Sequence, residues 1–179
     1  MLYNGNPDFN LFRQPPTYAT FLKTEIDTIR SYPGFAALKF FAAKAQGDYD
    51  SVLAVGYDAS SEVINTAAAP ILFDNVPCPP ECHIMNAANA IATDNDWLSV
   101  TEAGQKQQAM PMDKRFSASF SAMEIQGLWM LNGLEKIRVY YASIYGAPTF
   151  LVVGADTDGN NLPGIYLLDP NPVAAASLQ

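Results

Sequence analysis

A chain of 179 residues, 49% hydrophobic and 16% charged, carries enough apolar material for one packed domain and is too apolar for a disordered one. A net charge of -8 weighs against nucleic acid and anionic membrane surfaces, where affinity rests on Lys and Arg neutralising phosphates; only Lys114-Arg115 puts two basic residues together. Two cysteines, Cys78 and Cys82, and one histidine, His83, exclude a disulfide-stapled framework and any site of four Cys or His ligands.

No apolar run approaches the roughly 20 residues that span a bilayer as a helix. The opening Met1-Leu2-Tyr3-Asn4-Gly5-Asn6-Pro7-Asp8 has no basic region followed by an apolar stretch, so a signal peptide is not expected and a cytoplasmic, soluble chain is.

Pro15-Pro16-Thr17 predicts a helix start. Phe21, Leu22, Ile26 and Ile29 follow at helical spacing, and Pro33-Gly34 predicts the stop. Three strands are then expected, over residues 38–42, 52–57 and 71–74, with Gln46-Gly47-Asp48 as a turn. Alternation places Leu38, Phe40, Leu53 and Val55 on the side under the helix, and Lys39 and Phe41 on the other.

The chain next enters Pro77-Cys78-Pro79-Pro80-Glu81-Cys82-His83. As a redox pair the thiols stand one residue further apart than the usual Cys-x-x-Cys. As a metal site, two thiolates and an imidazole would leave a fourth position open. As a haem attachment site the spacing is again one residue long. Against these stands a proline-stiffened connection in which the thiols are small apolar groups. A short helix over 82–93, with Met85, Ala88 and Ile91 on one side, and a capping box at Ser99-Val100-Thr101-Glu102 before a polar helix over 102–108 complete the connection.

From residue 118 the opening pattern returns. Residues 118–142 align without a gap on 19–43, and Ala19, Phe21, Glu25, Ile26, Gly34 and Ala43 meet Ala118, Phe120, Glu124, Ile125, Gly133 and Ala142. Phe120, Met123, Leu128 and Leu131 predict the second helix, in which Gly127 costs about 1 kcal/mol of propensity. Strands over 137–141, 149–155 and 166–169 follow, with Tyr145-Gly146-Ala147-Pro148 as a turn between the first two. Ile137, Val139, Leu151 and Val153 are expected under the helix, with Arg138 and Tyr140 opposite. Asp156-Thr157-Asp158-Gly159-Asn160 is not a calcium loop, because its glycine comes too early and Leu167 stands where the bidentate Glu belongs; it reads as a turn.

Ile137-Arg138-Val139-Tyr140-Tyr141, followed by Leu151-Val152-Val153-Gly154-Ala155-Asp156-Thr157-Asp158-Gly159-Asn160, resembles a group of uncharacterised bacterial proteins that close with a Pro-Cys-Pro-Pro-x-Cys tail. Here the matching tail, Pro77 to Cys82, follows the first copy, whereas the second ends Asp169-Pro170-Asn171-Pro172 without cysteines. The resemblance implies one doubled unit and brings no activity with it.

The sequence therefore predicts an α+β fold built by internal duplication of a helix-strand-strand-strand unit, with antiparallel sheet or sheets packed against helices about a pseudo-twofold. One domain over 1–179 divides into a first copy (12–77), a connection with short helices (78–110), a second copy (111–172) and a tail (173–179) whose end is expected to fray. Neither a Gly-x-Ser-x-Gly elbow, a phosphate-binding Gly-x-x-x-x-Gly-Lys loop nor a Gly-x-Gly-x-x-Gly turn occurs. Glu25 and Glu124, at equivalent positions, are read as solvated. The expected function is a non-catalytic binding or protein-interaction module, taking a protein partner or small ligand as monomer or homodimer, with no cofactor. Phe41, Tyr57, Tyr140 and Arg138 are its candidate surface, since aromatic and Arg side chains dominate interfaces. The alternative is a thiol- or metal-dependent activity at Cys78, Cys82 and His83.

Overall fold

A computed structural model describes residues 2–4, 10–11, 17–64, 70–75, 77 and 95–178. Cys78, Cys82, His83, Pro15, Pro16 and the expected helix over 82–93 lie outside the described residues. The fold is α+β, with two six-stranded antiparallel sheets. In chain order its elements are β1 (Leu2–Asn4), β2 (Asn10–Leu11), β3 (Tyr18–Leu22), α1 (Lys23–Arg30), β4 (Phe35–Lys44), β5 (Asp50–Asp58), β6 (Ile71–Asp74), β7 (Asn95–Leu98), α2 (Val100–Gln108), β8 (Phe116–Ser121), α3 (Ala122–Trp129), β9 (Lys136–Ile144), β10 (Ala147–Ala155), β11 (Asn161–Leu168) and β12 (Val173–Ala174).

The two expected helices begin later than their hydrophobic spacing suggests, and each is preceded by a strand. The caps set the boundary. Ser121 is extended, its hydroxyl accepts the Glu124 N–H at 3.3 Å, and Glu124 Oε2 accepts the Ser121 N–H at 2.8 Å. At α1 the same position is Leu22, which has no hydroxyl, but Glu25 Oε2 still accepts the Leu22 N–H at 2.8 Å. Phe21 and Phe120 therefore lie in β3 and β8, not on helix faces. Gly34 and Gly133 follow the helices with φ of +86° and +80°, a region that favours glycine. The order strand, helix, three strands thus occurs twice.

One sheet runs β1-β11-β10-β9, with β2 and β3 both on the far side of β9; the other runs β12-β8-β4-β5-β6-β7. The first strand of each half sits in the sheet of the other. In β3 against β9, Phe21 faces Ile137 and Thr20 faces Arg138. In β8 against β4, Phe120 faces Leu38 and Ser119 faces Lys39. These are the same pairs under the alignment that lays Ala19 on Ala118. The helices touch in the same reciprocal way, with Arg30 Nη2 donating to Gln126 Oε1 at 2.7 Å and Trp129 Nε1 donating to Asp27 Oδ1 at 2.7 Å.

Register corrects the expected faces. Phe41 pairs with Leu53 and Phe40 with Ala54, so Val52 and Ala54 share the inner face with Leu38 and Phe40, while Leu53 and Val55 turn outward with Phe41. In the second half Tyr140 pairs with Leu151, which likewise sends Leu151 and Val153 outward. Both faces of these strands are buried, so residues 52–55 form an unbroken apolar run with no alternation to read.

The main core lies between the sheets. Phe21, Phe40, Phe120 and Phe150 are fully buried there, and Ile26, Ile29, Ile125 and Leu128 bring the helices onto the same cluster. A buried side chain of this size contributes about 1.5–3 kcal/mol. On the outer face of the β4-β5 sheet, Phe41, Leu53, Val55, Tyr57 and Phe73 pack with Ala103 of α2 and Ala176 of the tail. Gln107 holds that tail in place, donating to the Ala176 carbonyl at 2.7 Å and accepting the Leu178 N–H at 2.7 Å. The tail expected to fray is therefore docked, and β12 pairs with β8. The expected capping box of α2 is present at Ser99 and Glu102, whereas the connection also supplies the unexpected strand β7, paired with β6.

Candidate functional site

Two concavities are candidates. The larger, about 360 Å³, opens where Asp50 begins β5, Phe116 begins β8 and Pro148 enters β10; Tyr141 of β9 and Met110, Asp113 and Lys114 of the α2–β8 link complete it. Phe116 and Tyr141 meet edge to face with centroids 5.7 Å apart, and the Tyr141 hydroxyl donates to the Ser51 carbonyl at 2.5 Å. Arg115 braces the link, its Nε donating to the Met110 carbonyl at 2.9 Å and Nη2 to the Gln108 carbonyl at 2.7 Å. Asp50 is buried and pairs with Lys44 at 2.8 Å. Asp113 and Lys114 are exposed at the mouth. Exposed apolar residues flank this end of the molecule in sequence: Met112 beside Asp113, Tyr49 beside Asp50, and Tyr145, 99% exposed, in the β9–β10 turn.

The smaller concavity, about 250 Å³, lies on the outer side of β4 and β8. Lys39, Tyr57, Ser117, Ser119 and Asp169 line it, with Asn171 and Val173 among its other walls. Lys39 Nζ stands 4.0 Å from the centre of the Tyr57 ring, a cation–π contact. Burial pushes the Tyr57 phenol up to about 12, so it is a neutral donor or acceptor at any physiological pH.

Of the sequence-derived surface, Phe41, Tyr57 and Tyr140 are 3%, 6% and 7% exposed. They are packed in the outer clusters, which leaves little of Phe41 or Tyr140 to offer a partner. Arg138 is half-buried, 4.9 Å from the Tyr18 ring centre, and its Nη1 donates to Asn161 Oδ1 at 3.1 Å. Tyr57 lines the smaller concavity, and Phe41 and Tyr140 line neither of the two. Glu25 and Glu124 each accept the N–H of the residue three positions back, which gives them a capping task. Among the described residues no three His, Cys, Asp or Glu side chains form a metal-holding group, and no helix is long and apolar enough to cross a membrane.

Comparison with models of known protein families, with curated proteins and with solved structures gives no match. The sites thus stand on their own geometry. Neither concavity was visible in the sequence pattern, because each is walled by residues from both halves that only the strand exchange brings together. One signal did exist for the smaller: one residue before the gapless alignment begins, Tyr18 falls opposite Ser117, a large ring against a small side chain.

Proposed function

We propose that this chain is a non-catalytic binding module formed from two related strand-helix-strand-strand-strand units about a pseudo-twofold, and that the 360 Å³ cavity takes a small ligand with an apolar body. The reciprocal registers of β3 on β9 and β8 on β4, and the reciprocal Arg30–Gln126 and Trp129–Asp27 bonds, support the doubled unit. The observation that carries the binding reading is the lining of the larger cavity. Apolar walls from Met110, Phe116, Tyr141 and Pro148, with a few polar groups at the edge, match the usual build of a small-molecule site, and the volume falls within its range of about 300–1,000 Å³. A hydrolytic or transfer site would instead gather a nucleophile, a base and an oxyanion donor within hydrogen-bonding reach.

The test is native mass spectrometry of the protein from its own host, followed by NMR titration with toluene and cyclohexanol. A bound mass released on denaturation, or shifts concentrated at Met110, Phe116 and Tyr141, is the expected result. A bare chain whose resonances at these residues ignore both probes would overturn the reading.

A further inference from the structure

The two sheets carry equivalent outer corners, and one of them is filled. On the β9 sheet, Tyr18 of β3 pairs with Tyr140; their rings lie 4.9 Å apart, and Arg138 stands 4.9 Å from the Tyr18 ring centre. On the β4 sheet the same register pairs Ser117 of β8 with Phe41, and Lys39 takes the place of Arg138. Where the first corner holds a phenol ring, the second holds only a hydroxymethyl group, and the 250 Å³ concavity opens there. Two parts of the arrangement are kept, a cation in Lys39 and an aromatic residue in Phe41 paired with the position, and Tyr57 adds a ring that the filled corner lacks.

We propose that this concavity is a second binding site, for a small single-ring aromatic molecule of the phenol class, which would occupy the place that Tyr18 fills on the other sheet. The filled corner serves as an internal template for the ligand. Lys39 Nζ makes no hydrogen bond or ion pair with another described residue and stands 4.0 Å from the Tyr57 ring centre, so a ligand ring would share the cation with Tyr57. Asp58 and Asp169 also line the concavity, but both accept backbone N–H groups, Asp58 in a turn and Asp169 from β8 and a turn. Asp58 Oδ1 accepts the Ser60 and Glu62 N–H groups, and Asp169 accepts those of Ser119 and Asn171. The Ser117 and Ser119 hydroxyls and the Asn171 amide are left to meet a phenolic hydroxyl or a polar substituent. This site does not depend on the larger cavity, since the two share no lining residue.

The experiment uses the full chain and para-cresol as probe, read by NMR. Shifts at Lys39, Tyr57, Ser117 and Ser119 are expected, with weaker binding of 4-methylcyclohexanol, which has the same outline and no π-face. Ser117→Tyr rebuilds the filled corner and should abolish para-cresol binding; Ser117→Leu, which fills the space without a ring, should do the same if the first variant fails to fold. Lys39→Met should weaken binding roughly three-fold, the size of an exposed cation–π contact. The proposal is overturned if para-cresol leaves these resonances unmoved, if a folded Ser117 variant binds it as the wild type does, or if 4-methylcyclohexanol binds equally well.

Discussion

Asp74 and Asp169 perform one task in two settings. Asp74 Oδ2 accepts the Thr20 N–H of β3 at 2.8 Å, and its carbonyl accepts the Ser51 hydroxyl. Asp169 Oδ2 accepts the Ser119 N–H of β8 at 2.9 Å, and its carbonyl accepts the Thr149 hydroxyl at 3.0 Å. Each carboxylate fastens the strand that lies in the other half's sheet. Asp74 is 1% exposed, and Asn95 of β7 donates to the neighbouring Thr20 carbonyl at 3.1 Å. Asp169 is half-buried and borders the smaller concavity. The locking bond is thus common to both halves, whereas the closing of the ground around it is local. The surface around that bond can differ from half to half without disturbing the exchange.

The sharpest way to break the comparison is to cut the chain after Met110. Each fragment then lacks a strand of its own sheet, so neither is expected to fold alone, and mixing them should restore the native circular dichroism and the mass of the intact chain on size exclusion. A fragment 1–110 that folds by itself would show that strand exchange is not required.

A smaller effect separates the two carboxylates. Asp74→Ala leaves a buried N–H without its acceptor and should cost about 2–3 kcal/mol in urea unfolding, while Asp169→Ala, whose N–H can turn to water, should cost about 1 kcal/mol. Equal losses would mean that the surroundings do not matter.

A further effect, confined to alkaline pH, concerns the first half alone, since Tyr57 falls opposite Ala155 when Leu53-Ala54-Val55-Gly56 is laid on Leu151-Val152-Val153-Gly154. Burial raises the folded phenol to about 12 from an ordinary 10.0. The fold therefore favours the protonated form, while the unfolded chain ionises near its ordinary value. The resulting stability is complete below about pH 10 and is lost as pH rises towards about 12. Tyr57→Phe should flatten this alkaline limb in urea unfolding followed against pH; an unchanged limb would place the ionisation elsewhere.

Much of the framework was legible. The strand over 71–74, the α2 capping box and the glycine after α1 could be read because each has a local cause: β-branched and aromatic residues, a Ser with a Glu three positions on, and a positive φ. The strand β3 was hidden because Phe21, Leu22, Ile26 and Ile29 fit a helical period, although the chain between Ala19 and Leu22 is extended. Ser121 and Glu124 spelled out the second helix start, but the longer hydrophobic spacing masked it. The outward turn of Leu53 and Val55 could not be read from residues buried on both faces. The concavities followed from none of these local causes, since both depend on which strand lies beside which.

Strand exchange also sets the order in which this chain can mature on the ribosome. Until residues 116–121 have emerged, one long side of β4 has no partner, and it exposes backbone donors beside Leu38, Phe40 and Phe41. Until residues 136–140 follow, β3 has no place to dock. The nascent first half thus leaves the exit tunnel with an adhesive margin, and its safety during synthesis rests on how quickly the second half arrives.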